Sequence, residues 1–181
     1  MTITGSGQSL LLNSTLGQYI SIGSSFPTLA NHSWTFELWL HLLAVPSALN
    51  LGILMQCNSF NMSLCLHIVI RYQKAYLGFY HDDLSGLQTI LANRWYHMAF
   101  VFDSSSNYQS IYVNGILEQS RQSSQPYQGH SDNLTVGWVV TDSSPSANNS
   151  EYLYGYIDQF SFTHRSKSPD EILNDGTLSC Y

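Results

Sequence analysis

The sequence predicts an all-β fold: two antiparallel sheets packed face to face as a sandwich, with one short helix near the C-terminus. Three observations predict it. Strand-type runs recur along the 181 residues while helical periodicity is almost absent. Asn114-Gly115 separates two such runs, a type I′ hairpin signal, because both central residues of that turn need positive φ. Ser168-Pro169-Asp170-Glu171 is the single clear helix start. Many short strands with one brief helix bury their apolar faces by pairing two sheets.

The elements follow in order. Candidate strands run from Leu10 to Leu12, Tyr19 to Ile22, Leu51 to Gln56, Leu64 to Arg71, Ala75 to Tyr80 and Thr89 to Ala92. Further ones run from Tyr96 to Phe102, Gln109 to Val113, Ile116 to Glu118, Asn133 to Val140 and Glu151 to Phe162. The clearest strand is Trp34-Phe36-Leu38-Leu40-Leu42, apolar at period two against Thr35, Glu37, Trp39 and His41, so the even positions face the core. The helix of one to two turns begins at Ser168, with Pro169 in its first turn and Glu171 completing a capping box, and Asn174-Asp175-Gly176 is read as its stop. Residues 104–107, 119–129 and 141–150 are polar and turn-rich, and read as rim loops of one domain spanning 1–181.

Composition excludes several classes of function. Charged residues are only 10% of the chain, so Ser, Asn, Gln, Thr and Tyr must cover the surface. Twelve acids against six scattered bases give a formal charge of -6, which argues against nucleic acid as a partner. No apolar run is long enough to span a membrane, and the N-terminus lacks the basic and apolar parts of a signal peptide, so the chain reads as a domain excised from a larger protein.

Five N-x-[ST] acceptors, Asn13, Asn31, Asn61, Asn133 and Asn148, favour a secreted or cell-surface source. Cys57 and Cys65 are spaced for facing positions on a hairpin with a short loop, either as a disulfide or as free buried thiols. Cys180 is left over, which suggests an intermolecular bridge or a partner elsewhere in the parent protein.

Arg94-Trp95-Tyr96-His97-Met98-Ala99-Phe100-Val101-Phe102-Asp103 followed by Tyr112-Val113-Asn114-Gly115 resembles the core of laminin-G-like domains. Ser33 to Leu40, Gly155 to Phe162 and Ser168 to Ile172 extend the match over nearly the whole chain. The resemblance implies a concanavalin A-like jelly-roll sandwich, a fold that hosts lectins, adhesion modules, hormone binders and some glycanases.

Within that family a glycanase needs paired carboxylates on one strand, in an E-x-D-x-x-E type run. Glu37 has no second acid within four residues, and nucleophile-elbow, zincin, Walker A and dinucleotide motifs are absent, so no enzyme is expected. His97 opens a strand without a nucleophile nearby and reads as a packing and hydrogen-bonding residue; Trp34, Trp39 and Trp95 read as core or sheet-edge residues. Many laminin-G-like domains hold Ca²⁺ at the rim. The oxygen donors here would be Asp82, Asp83, Asn93, Asp142 and Asp158, with Asn93 standing where relatives often carry Asp; the alternative is ordinary solvated turn acids.

Candidate ligand-contacting residues are Tyr127, His130, Trp138, Tyr152, Tyr154 and Tyr156. The last three alternate with Leu153, Gly155 and Ile157 and would line one sheet face, either as a platform for sugar rings or a protein partner, or packed inward with hydroxyls at the edge. The expected function is a non-catalytic binding module recognising glycans, with Ca²⁺ assistance; the alternative is an adhesion or structural ectodomain module that binds protein.

Overall fold

The computed structural model describes residues 7–23, 26–46, 50–130, 133–140 and 150–177. Its strands are β1 (Leu10–Leu12), β2 (Ile20–Ile22), β3 (Trp34–Leu42), β4 (Leu51–Cys57), β5 (Cys65–Arg71), β6 (Lys74–Gly78) and β7 (Asp83–Ser85). They continue with β8 (Trp95–Asp103), β9 (Tyr108–Val113), β10 (Ile116–Gln122), β11 (Leu134–Val136), β12 (Trp138–Val140), β13 (Ser150–Tyr152) and β14 (Gly155–Thr163), followed by helix α1 (Pro169–Thr177). Sheet A has the order β1-β14-β3-β8-β9-β10, sheet B the order β2-β11-β4-β5-β6-β7, and β12 pairs with β13 as a separate ribbon. All pairings are antiparallel. The expected two-sheet sandwich is what the chain forms.

The core lies between the sheets. Trp34, Phe36, Leu38, Leu40 and Leu42 are buried on β3 as the period-two pattern requires, and they meet Leu66, Ile68 and Ile70 of β5 and Leu77 of β6 in one cluster. The β9–β10 hairpin turns at Asn114 and Gly115 with φ of 52° and 78°, the conformation its sequence asked for.

The other face of β3 is not solvated at Thr35 and Glu37, because α1 and the segment leading to it lie across sheet A. Ile172 packs against Ala99, Val101 and Tyr112. The Thr35 hydroxyl donates to the Arg165 carbonyl at 2.9 Å and accepts from the Lys167 amide at 3.0 Å. The Glu37 carboxylate is ion-paired with Lys167, which also reaches Asp175 at 2.6 Å, and His97 Nε2 lies 3.7 Å from Glu37 Oε1. Burial raises the Glu37 carboxyl above its ordinary range against the pull of Lys167, and burial pushes the His97 imidazole down to about 4, so it stays neutral at physiological pH. The helix opens with the expected reciprocal cap: the Glu171 amide donates to Ser168 Oγ at 3.3 Å and the Ser168 amide to Glu171 Oε2 at 2.8 Å. It runs through Asn174-Asp175-Gly176 to Thr177, past the stop read from the sequence.

Several expectations need correction. Residues 89–92 form no strand, because the neighbouring backbone donors go elsewhere: the Leu87 and Gln88 amides donate to Glu118 Oε2 at 3.1 and 2.6 Å. Of the two edge strands of sheet B, β2 and β7, the sequence reading missed β7. The run from Asn133 to Val140 breaks at Gly137, where φ is +85°. The run from Glu151 to Phe162 likewise divides into β13 and β14, which lie in different sheets. Trp95 is not packed away; it is 39% exposed on the outer face of sheet A, its ring 5.2 Å from that of His41.

The β12–β13 ribbon lies directly on sheet B at Gly52. A Cβ there would sit 2.5 Å from the Glu151 carbonyl oxygen and 2.7 Å from the Val139 nitrogen, so only glycine permits the approach. Gly52→Ala is expected to cost about 1–3 kcal/mol in urea unfolding, with the Val139 and Glu151 amides losing exchange protection first.

Candidate functional site

Met55 and Cys57, outward residues of β4, form the floor of a cleft on sheet B. Cys57 and Cys65 are direct register partners and are joined by a disulfide, one of the two states the sequence left open. Beyond them the chain from Asn58 to Leu64 makes a tight turn, closed by the Asn58 amide donating to the Leu64 carbonyl at 3.2 Å. It presents Phe60, whose ring stands 5.7 Å from that of Tyr80. The opposite wall is β12, which contributes Trp138 and Val140, and Thr135 and Asn133 complete the lining beside Met55. The Thr135 hydroxyl donates to the Trp138 carbonyl at 2.9 Å, which ties this wall to β11. The enclosed space is about 330 Å³, within the usual range of small-ligand sites.

The cleft is apolar with a few amides and hydroxyls, and among the described residues no charged side chain lines it. Trp138 also belongs to a three-ring cluster: Tyr19 lies 5.2 Å and Tyr152 6.3 Å from it, and Tyr19 is 46% exposed. The Trp138 indole N–H has no acceptor among the described residues. Farther along the same face, Arg71 is held 3.5 Å from Asp83, donates to Asn50 Oδ1 at 3.0 Å, and stacks 5.3 Å over Tyr76. Burial works to raise the Asp83 carboxyl, but His67 and Arg71 beside it hold it below its ordinary value.

The structure divides the candidate ligand residues. Trp138 lines the cleft and Tyr152 joins its ring cluster. His130 is exposed at the rim, where its amide donates to Asn58 Oδ1 at 3.3 Å. Tyr127 is a correction: it is fully buried, its ring 5.1 Å from Phe79 and its hydroxyl donating to the Gln56 carbonyl at 2.8 Å, so it is a core residue. The phenols at 152, 154 and 156 do alternate outward against buried Leu153, Gly155 and Ile157, but they form no single row. The break between β13 and β14 puts Tyr152 beside Trp138 and Tyr156 on sheet A, 5.7 Å from the His41 ring, with half-buried Tyr154 between them.

The acids do not converge as a calcium site would require. Asp82 is buried and fully committed, paired with Arg121 and accepting from Ser123 Oγ and the Ser124 amide, each at 2.9 Å. Asp83 is held by His67 and Arg71. Asn93 sits in the turn before β8 with φ +61°, and Asp158 Oδ1 accepts from the Gln159 amide at 2.7 Å at a bulge in β14. Among the described residues no group of three His, Cys, Asp or Glu side chains could hold a metal; Asp142 lies outside them. Of the sequon asparagines, Asn31, Asn61 and Asn133 are exposed, Asn13 is half-buried with its Oδ1 accepting from the Thr15 amide, and Asn148 lies outside the described residues. Cys180 also lies outside them.

Met55, Asn58, Phe60 and Tyr19 were not anticipated. Alternation along β4 could have pointed to Met55 and Cys57 as outward neighbours, whereas nothing local marks Phe60 or Tyr19.

Comparison with known proteins agrees with this architecture. The family described as the concanavalin A-like lectin/glucanases superfamily, of laminin-G type, matches over residues 13–173. No curated protein matches the chain by sequence. Domain 4 of AbnA, a GH43 extracellular arabinanase from Geobacillus stearothermophilus solved with arabinotriose, superposes with a TM-score of 0.67 at 17% identity, over 96% of this chain and 79% of that one. The Ruminococcus gnavus IT-sialidase CBM40 bound to alpha2,3 sialyllactose gives 0.67 at 12% identity, over 95% of this chain and 100% of that one. The botulinum neurotoxin serotype G binding domain gives 0.69 at 12% identity, over 97% of this chain and 46% of that one, so the chain spans about half its length. At these identities the likeness is one of fold. Among the described residues no helix is long and apolar enough to cross a membrane.

Proposed function

The chain belongs to the concanavalin A-like lectin/glucanase superfamily, and on that premise we propose that it is a non-catalytic carbohydrate-binding module of a secreted or cell-surface protein, binding its glycan in the cleft beside Trp138. The single observation that carries this reading is the lining. Trp138 and Phe60 offer flat apolar faces for the C–H surface of a sugar ring, while Asn58, Ser59, Asn133 and Thr135 offer amides and hydroxyls for its O–H groups. Two structural relatives solved with saccharides share the fold.

Catalysis is not part of the proposal. Glycoside hydrolysis needs two carboxylates flanking the bond, and among the described residues none lines the cleft. Two acids of the surrounding face are engaged, Asp83 with His67 and Arg71, and Glu151 accepting from Asn50 Nδ2 at 2.6 Å. The disulfide and the exposed sequon residues Asn31 and Asn61 support a secreted or surface setting.

Titration of the best ligand from a glycan array tests the reading. Trp138→Ala is expected to weaken binding roughly 30-fold, about 2 kcal/mol, because the indole is the central aromatic of the wall. Since among the described residues no carboxylate lines the cleft, the isotherm in EDTA is expected to match that in Ca²⁺, and a chelator-sensitive isotherm would place an ion in the site after all. A blank array leaves the second reading, protein adhesion. One observation favours it: Leu11, Tyr156, His41 and Trp95 are successive cross-strand neighbours on the outer face of sheet A, with Leu11 and Trp95 exposed.

A further inference from the structure

Granting the carbohydrate-binding reading, on which this inference rests, we infer that the cleft beside Trp138 is selective for uncharged oligosaccharides and rejects sialylated, uronic and sulfated ones. Recognition of an acidic sugar is strongest where a cation is aimed at its carboxylate or sulfate. Among the described residues no cationic side chain lines the cleft. Its polar side chains are two amides and two hydroxyls, and the remainder is thioether, disulfide, aromatic and aliphatic.

The chain's six cations are either committed to other partners or placed away from the cleft. Of the six, Arg121 pairs with Asp82, Arg165 with Glu171, and Lys167 with Glu37 and Asp175. Arg71, which shares the cleft's face of sheet B, is held by Asp83 and Asn50 and stacked on Tyr76. It is also remote: Arg71 pairs with Lys74 at one end of the β5–β6 ladder, whereas Cys65 pairs with Cys57 at the cleft. Six residues of strand separate Cys65 from Arg71, about 20 Å at the usual rise. Lys74 is therefore equally far, and Arg94 stands in the turn before β8 on the other sheet. An anionic sugar seated against Met55, Phe60 and Trp138 would lose water without gaining a counter-charge, beneath a chain whose formal charge is already -6.

The wall also favours more than one sugar ring. Trp138 is shared between the cleft and the exposed cluster with Tyr19 and Tyr152, so a chain leaving the cleft past Trp138 meets a second flat surface at Tyr19. Stacking of this kind recognises the apolar face of a ring and is indifferent to its charge, and so it adds length preference without admitting acids.

The test is a glycan array carrying matched neutral, sialylated, uronic and sulfated oligosaccharides, followed by titration of the hits against the full chain and against Trp138→Ala and Tyr19→Ala. The expected result is binding to neutral oligosaccharides alone, at least about 100-fold tighter than to the matched acidic ones, unchanged by added salt. Trp138→Ala should weaken it roughly 30-fold, and Tyr19→Ala should weaken longer chains several-fold more than disaccharides. Acidic glycans that bind and are lost in Trp138→Ala would overturn the charge selectivity while leaving the carbohydrate-binding reading intact, as would an affinity that falls with salt. Neutral hits that bind Trp138→Ala as well as wild type would overturn the location. A blank array would overturn the parent reading and this one together.

Discussion

Lys167→Met is expected to destabilise the fold by about 3–5 kcal/mol near neutral pH, roughly 10 °C in Tm for a domain of this size, because it strands a buried carboxylate. Glu37 lies under α1 with Lys167 as its ion-pair partner, and His97 beside it is held neutral by burial, its value pushed down to about 4. A methionine preserves most of the packing volume but leaves Glu37 charged without a counter-ion. The sign with pH follows from the carboxyl. Its folded value is already raised above the ordinary 4.5 by burial, and Lys167 opposes that rise. Glu37 therefore contributes stability that is present below 4.5 and lost as pH rises through its folded value. Removing Lys167 raises the folded value further, so the deficit of the variant against wild type should be largest at neutral pH and shrink on acidification. His97 works the other way in both proteins: its contribution is present above 6.5 and is lost as pH falls toward about 4. The difference between variant and wild type is thus the quantity to measure, by urea unfolding at several pH values. Glu37→Gln added to Lys167→Met should restore most of the loss. A deficit that ignores pH, or a double variant no better than the single, would show that Lys167 contributes packing and not charge.

That buried cluster marks the boundary of what the sequence could say. The apolar half of β3 was legible, because period two in Trp34 to Leu42 has one reading for a half-buried strand. The polar half was not, since Glu37 is buried by Lys167 and Asp175, more than a hundred residues later, and alternation carries no record of a helix laid across the sheet. The helix itself was legible from Ser168 and Glu171, whose capping bonds are local. So was the facing of Cys57 and Cys65, set by a short turn. Asp82 read as a calcium donor or a solvated turn acid because its partners Arg121, Ser123 and Ser124 are distant in sequence. Tyr127 read as an exposed aromatic in a polar loop, yet the loop folds it inward to reach the Gln56 carbonyl. The cleft failed for the same reason: Trp138 was visible as an aromatic in the candidate strand from Asn133 to Val140, but Met55 and Phe60 become its neighbours only because the β12–β13 ribbon lies down over Gly52.

Replacing Cys57 and Cys65 together by alanine is expected to lower stability by about 2.5 kcal/mol, as loop-closure entropy gives for a bridge of this short span. The sequence separation is 8 residues, so the link restrains little of the unfolded chain, and a larger loss would mean that the turn from Asn58 to Leu64 depends on it for its native shape. Binding should fall as well, about tenfold, because Cys57 lines the cleft and the bridge anchors the turn that presents Phe60 opposite Trp138. The two effects separate by experiment. Urea unfolding with the slope compared between variants reports the first, and titration of a neutral oligosaccharide at a temperature where both proteins are fully folded reports the second. Chemical reduction of the wild type should reproduce both shifts without changing any side chain other than the two sulfurs. A stability loss with unchanged affinity would mean that the turn holds Phe60 in place through its own backbone bonds, chief among them the Ser63 amide donating to the Phe79 carbonyl at 2.7 Å. In that case the disulfide acts only as a staple on the β4–β5 hairpin, and the ordering of the cleft must be assigned to the contact between the turn and Phe79, just past β6.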